Sequence, residues 1–137
     1  KSEGKFTNAG FATMAQSFNT KVNTVHAQWM MDKQPSVVYL ASLNKKTKQA
    51  ISVNRAGWID VKNAQLPCEA IWQLVMETPM NLMNVSVSAI EVHTSKGQSQ
   101  NKAKSVNSSQ CHYVLLDGSY FQYDRARGKV SKVLSSN

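Results

Sequence analysis

The run Asn8-Ala-Gly-Phe-Ala-Thr-Met-Ala-Gln-Ser-Phe-Asn-Thr-Lys-Val-Asn-Thr-Val-His-Ala-Gln-Trp-Met-Met-Asp-Lys33 decides the architecture of this chain. Within it Phe11, Met14, Phe18, Val22, Val25 and Trp29 recur at steps of 3, 4, 4, 3 and 4. That spacing is one apolar stripe on an α-helix, sustained over about five turns. Thr13, Gln16, Asn19, Lys21, Asn23, Thr24 and Gln28 fill the positions between and read as the solvated face. The pattern predicts a helix from near Asn8 to Lys33, stopped at Gln34-Pro35 because proline disfavours the helical conformation in the residue before it. At the standard rise, ~26 residues make a rod of roughly 39 Å. A compact domain of this length has a radius of gyration near ~14 Å, so the rod is about as long as the globule is wide. Burying six large side chains at ~1.5–3 kcal/mol each contributes on the order of 10 kcal/mol, comparable with the stability of a whole domain.

Beyond the helix the pattern changes period. Ser36–Ser42 is rich in strand formers, Asn44–Lys48 is a polar turn, and Ile51 and Val53 alternate, which predicts a hairpin. Asn54–Gly57 turns again before Trp58-Ile-Asp-Val61. Leu66-Pro67 opens a second helix, with proline where no backbone donor is needed and Glu69 suited to the helix dipole. Ile71, Leu74, Val75 and Thr78 form its apolar face, Trp72 lies at the flank, and Pro79 ends it. Asn84–His93 reads as a strand whose apolar phase slips near Ala89, which implies burial on both faces or a β-bulge. Ser95–Gln110 is almost free of apolar residues and reads as a loop. Cys111–Leu116, Ser119–Asp124 and Lys129–Leu134 form a meander, with Asp117-Gly118 as a strong hairpin signal. The expected fold is therefore α+β: a long N-terminal helix packed on an antiparallel sheet of four or more strands, with a short second helix, as one domain over residues 1–137.

The 137 residues carry 16 Lys and Arg against 8 Asp and Glu, a net charge of +8. Such a surplus favours anionic partners, nucleic acid or anionic polysaccharide among them. Lys45, Lys46 and Lys48, and further along Arg125 and Arg127, fall in turns and are the candidate anion contacts. Solvated loop ends that keep the protein soluble are the alternative use of the same charges. No apolar run approaches the ~18 residues of a membrane span. Cys68 and Cys111 stand 43 residues apart without any metal-ligand spacing. They read either as one disulfide formed in an oxidising compartment or as two unrelated buried thiols.

Catalytic signatures do not appear: there is no nucleophile elbow, phosphate loop or zinc-binding helix motif, and the acids are scattered. His26 is read as a helix-face residue packed inward, and His93 and His112 as strand residues. Tyr113, Tyr120, Phe121 and Tyr123 beside Arg125 and Arg127 admit two uses, cross-strand packing or base stacking. The chain is accordingly expected to be non-enzymatic, with no cofactor and no metal.

Four stretches together resemble the globular portion of type IV pilins and pseudopilins: Phe18–Trp29, Val53-Asn-Arg-Ala-Gly-Trp-Ile-Asp60, Cys68-Glu-Ala-Ile-Trp72 and Cys111–Asp124. The combination is most similar to the pilin-like proteins of the mannose-sensitive haemagglutinin (MSHA) pilus. The resemblance implies a structural or minor, priming subunit acting in filament assembly and surface adhesion, with other pilin subunits as partners. It implies residence in the inner membrane and periplasm before assembly and in a cell-surface pilus afterwards, with a Cys68–Cys111 disulfide. It further implies an anchoring helix ahead of Lys1: a short basic leader, then about 25 apolar residues with one acid near their start. A soluble anion-binding module for DNA or polysaccharide, or a type II secretion pseudopilin, are the alternative assignments.

Overall fold

The computed structural model describes residues 2–43, 45–82, 84–96 and 106–135, with side chains from 9 to 93 and from 109 onward within those stretches. The fold is α+β, two helices with antiparallel sheet. Helix α1 spans Ser2–Met31, the hairpin pairs β1 (Val37–Ala41) with β2 (Lys48–Ser52), and α2 spans Pro67–Met76. Strands β3 (Asn81–Leu82), β4 (Val85–Lys96), β5 (Val106–Leu115) and β6 (Tyr120–Asp124) form a second sheet in sequence order.

Helix α1 starts at Ser2 rather than near Asn8, and it stops at Met31, two residues short of the expected end. Lys33 and Gln34 both take left-handed φ values, 66° and 62°, and the Gln34 amide donates to the Trp29 carbonyl at 2.8 Å. The helix is thus closed by its own last carbonyls before proline's constraint is reached. Phe11, Phe18, Val22, Val25 and Trp29 are buried as the stripe requires, joined by Ala15, while Met14 is half-buried against them. Phe18 sits at the focus, with ring centroids 5.3 Å from Tyr113, 5.4 Å from Phe121 and Tyr123, and 6.2 Å from Trp72. Trp72, expected at a flank, is fully buried instead, its indole N–H donating to the Thr78 carbonyl at 2.9 Å. Thr78 itself lies outside α2, which Glu77 ends in a left-handed conformation (φ 56°).

The β4–β5 register runs unbroken from Val87↔Leu115 to Lys96↔Val106, so the phase slip at Ala89 is not a bulge. Val87 points into the core, and Ile90, 48 % exposed, lies on the opposite face. The expected loop over Ser95–Gln110 is strand at both ends, because each polar strand finds its hydrogen-bonding partner in the other. The part of that expectation covering 97–105 lies outside the described residues. Trp58–Val61 contributes one bridge, Val53↔Ile59, rather than a strand. Lys129–Leu134 likewise makes two bridges to β6, Tyr123↔Val130 and Tyr120↔Leu134. Lys48, expected in the turn, is the first residue of β2 and faces Ala41. Gly118 takes φ 92° in the β5–β6 turn, the conformation an Asp-Gly hairpin needs.

Because Phe18 and Val22 have no exposed surface, Phe18→Asp or Val22→Asp places an unpaired charge among aromatic rings, a cost well above the ~3–5 kcal/mol of a core Phe→Ala change. Neither variant should give a cooperative thermal transition by circular dichroism. A soluble double variant that melts cooperatively would show that the stripe does not organise the core.

Candidate functional site

The residues singled out from the sequence fall into three settings. Cys68, in the first turn of α2, and Cys111, on β5, are joined by a disulfide with their Cα atoms 5.4 Å apart. The bond closes a 43-residue separation, and by the loop-entropy relation such a closure contributes ~4 kcal/mol. Beside it the Tyr113 hydroxyl donates to the Cys68 carbonyl at 2.7 Å, and burial pushes that phenol well above its ordinary pKa. Burial, added to by Asp60 and Asp124, raises Tyr123 as well, and its hydroxyl donates to the Ile59 carbonyl at 2.7 Å. Tyr113, Phe121 and Tyr123 are fully buried, which removes them as base-stacking platforms. Tyr120 lies half-buried on the opposite face of the sheet, stacked on His112 at 5.2 Å. Burial lowers the His112 pKa.

Lys45, Lys46 and Lys48 are exposed at the β1–β2 connection. The chain just before them is held by Glu77 at the end of α2. Its left-handed backbone turns the carboxylate toward the residues that follow β1, where it accepts from the Ser42 hydroxyl at 2.6 Å and the Leu43 amide at 3.2 Å. Lys21, expected on the solvated face of α1, reaches the same carboxylate at 3.5 Å. Burial alone would raise the Glu77 pKa; the Ser42, Leu43 and Lys21 contacts outweigh it and hold the carboxyl below its usual value.

Arg125 and Arg127 part company. Arg125, expected as an exposed anion contact, is buried at 8 % exposure, with Nε 2.7 Å from Asp60 and Nη1 2.5 Å from Glu91. A buried guanidinium already outweighed by two carboxylates offers no net positive charge to an external anion, so this residue is not an anion contact. Arg127 stays exposed, 3.5 Å from Asp124. The Arg125 carbonyl accepts from the Asn54 side chain at 2.8 Å, and the Asn54 Oδ1 in turn accepts from the Ala56 and Trp58 amides. These bonds dock the loop over 54–61 onto the end of β6. Trp58 completes the junction, stacking on His26 at 3.7 Å and 7° while its ring covers Gly128 (φ 71°), where a Cβ would collide with it. His26 Nδ1 donates to the Gly57 carbonyl at 3.1 Å, so its packed role stands.

Sequence inspection missed two juxtapositions here. Asp60 and Glu91, read as scattered acids, converge on Arg125, and Arg55 and Lys62 are carried to the same junction. Cross-strand pairing also sets Ser109 Oγ 3.1 Å from His93 Nδ1, whose Nε2 is 3.6 Å from Glu91. That imidazole side chain is 64 % exposed and Arg125 already takes the Glu91 charge, so the row lacks the dry, charge-focused setting that activates a nucleophile. Among the described residues no group of three or more His, Cys, Asp or Glu side chains could hold a metal ion.

Truncating one partner of a buried charge pair costs about 3–5 kcal/mol, so Arg125→Ala should lower stability by that order, whereas Arg127→Ala should stay within about 0.5 kcal/mol. Urea unfolding of both variants measures the contrast; equal effects would mean Arg125 is not the junction's anchor. The depressed Glu77 carboxyl contributes stability that is present above its unfolded value and lost as pH falls through the folded one. The stability gap between the native chain and Glu77→Gln should therefore be full at neutral pH and close as pH drops below 4.5. A gap that persists unchanged in strong acid would detach the effect from this ionisation. No family model matches the chain, and no curated protein and no solved structure matches it.

Proposed function

We propose that this chain is a structural or minor, priming subunit of a type IV pilus of the MSHA type, acting in filament assembly and surface adhesion rather than in catalysis. The observation that carries the proposal is the first helix: thirty residues, Ser2–Met31, with one apolar stripe turned into the domain core. A long spine helix against which an antiparallel sheet is laid, with a short second helix stapled to the sheet by a disulfide, is the arrangement a pilin head needs. The helix transmits load along the filament axis while the sheet and loops remain outward for contacts. The disulfide suits a periplasmic folding route, since such bonds persist in oxidising compartments. No helix among the described residues is long and apolar enough to cross a membrane, so on this proposal anchoring falls to sequence ahead of Lys1.

The exposed face of α1 agrees with a role in lateral contacts. Ala12, Thr13, Gln16, Ser17, Asn19, Thr20 and Thr24 are small or uncharged, and the charge of Lys21 is drawn aside to Glu77. A face of that kind lets neighbouring subunits approach without like-charge repulsion in a molecule of net charge +8.

Reading the encoded sequence upstream of Lys1 tests the proposal. The expected result is a short basic leader ending at a small residue, followed by about 25 apolar residues, enough to cross a ~30 Å bilayer core with some tilt. One acid near the start of that segment would be tolerated through a partner charge in the filament. A conventional cleavable signal peptide ending just before Lys1 would sink the pilus assignment.

A further inference from the structure

We propose that the groove beside the 54–62 loop is a binding site for a carboxylate-bearing polysaccharide, with Arg55 and Lys62 as its cation contacts. Two concavities meet there. One, of about 420 Å³, runs along Trp29, Gln34, Pro35 and Ser36 to Arg55 and Lys62. The other, of about 300 Å³, continues from Lys62 past Asp60 and Arg125 to Ser109 and Ala126. Asn54 and Lys62 line both, so the two hollows adjoin at these residues. Each arm lies toward the small end of the ~300–1,000 Å³ range of ligand sites, the scale of a sugar ring.

The charges of the groove are distributed for an anion. Arg55 and Lys62 are exposed, and neither has a carboxylate partner among the described residues, whereas Lys21, Arg125 and Arg127 are all paired. Asp60 lines the second hollow, where Arg125 lies 2.7 Å away but also meets Glu91, so these three groups keep one net negative charge and Arg55 with Lys62 outweigh it. The arginine fork matches a carboxylate in two parallel bonds, and a lysine adds a point charge. Gln34, Ser36 and Ser109 supply amide and hydroxyl groups for sugar hydroxyls.

The same observations disfavour nucleic acid. Trp29 lines the groove but is only 8 % exposed, so it offers no free face for a base to stack on. Two free cations also fall short of the about 6–10 phosphate contacts of an electrostatic DNA binder. The site does not depend on filament assembly.

The test uses polygalacturonate as probe and compares two double variants that remove equal charge from the whole chain: Arg55→Ala with Lys62→Ala, and Lys45→Ala with Lys46→Ala. At low salt the native protein should bind the polyuronate and ignore neutral dextran. The groove variant should lose at least tenfold in affinity and the hairpin variant less than twofold. Thermal melts of both accompany the titrations, and single Arg55→Gln and Lys62→Gln changes carry the comparison if the groove double variant melts early. Equal losses in the two double variants would reduce the binding to net charge and overturn the site, as would absence of polyuronate binding or equal binding of dextran. Duplex DNA bound by the native protein and lost selectively in the groove variant would reassign the groove to phosphate and refute the polysaccharide class.

Discussion

The Phe18 ring is the point through which the elements of this domain are held together. It projects from α1 and meets Trp72 of α2, Tyr113 of β5 and Phe121 and Tyr123 of β6 within a centroid distance of 6.2 Å. Tilted aromatic pairs of this kind add ~0.5–1.5 kcal/mol each beyond the area they bury. More consequential is that one side chain joins segments more than a hundred residues apart in sequence. The disulfide from Cys68 to Cys111 and the Tyr113 hydroxyl on the Cys68 carbonyl tie α2 to the sheet beside that ring. The aromatic cluster, the covalent bond and the buried hydrogen bond act on the same short stretch of structure, so that end of the core is over-determined.

Away from that cluster, cohesion is polar. Arg125 fastens the 54–61 loop to the sheet through Asp60, Glu91 and the Val61 carbonyl, and Asn54 returns a bond to the Arg125 backbone. Glu77 does the same for the start of the β1–β2 connection. Both are charges used internally, each surrounded by several partners, as burial of an ionised group demands. The consequence for function is selective. Of the cations that look equivalent along the chain, those at such junctions are spent on structure, while Arg55 and Lys62, carried on the loop that Arg125 docks, remain directed outward.

A surplus of positive charge is thereby sorted by position. An uncharged α1 flank, a free pair of cations on one loop and three exposed lysines on a hairpin are three different surfaces of the same +8 molecule. On the proposed pilus assignment, the uncharged flank would meet copies of the chain and the cationic surfaces other material.

How much of this was legible beforehand follows from the range of the interactions concerned. The α1 stripe, the proline start of α2 and the Asp-Gly turn are local patterns, each decided by residues within a few positions of one another, and they stand at those places in the structure. Pairing was beyond reach: the polar ends of β4 and β5 have no apolar alternation, and only each other's backbone makes them strands. Trp72 moved from flank to core because Phe18 and Tyr113 closed over it, contacts with no signature near residue 72. Asp60, Glu91 and Arg125 lie 31 and 34 residues apart in sequence and become one cluster through strand register and loop docking alone. The sequence by itself determined the helices, the hairpin turn and the overall charge, because periodicity, proline chemistry and composition are properties of neighbours. Tertiary structure decided which cations are buried and which are free, because burial and ion pairing depend on what the folded chain brings alongside.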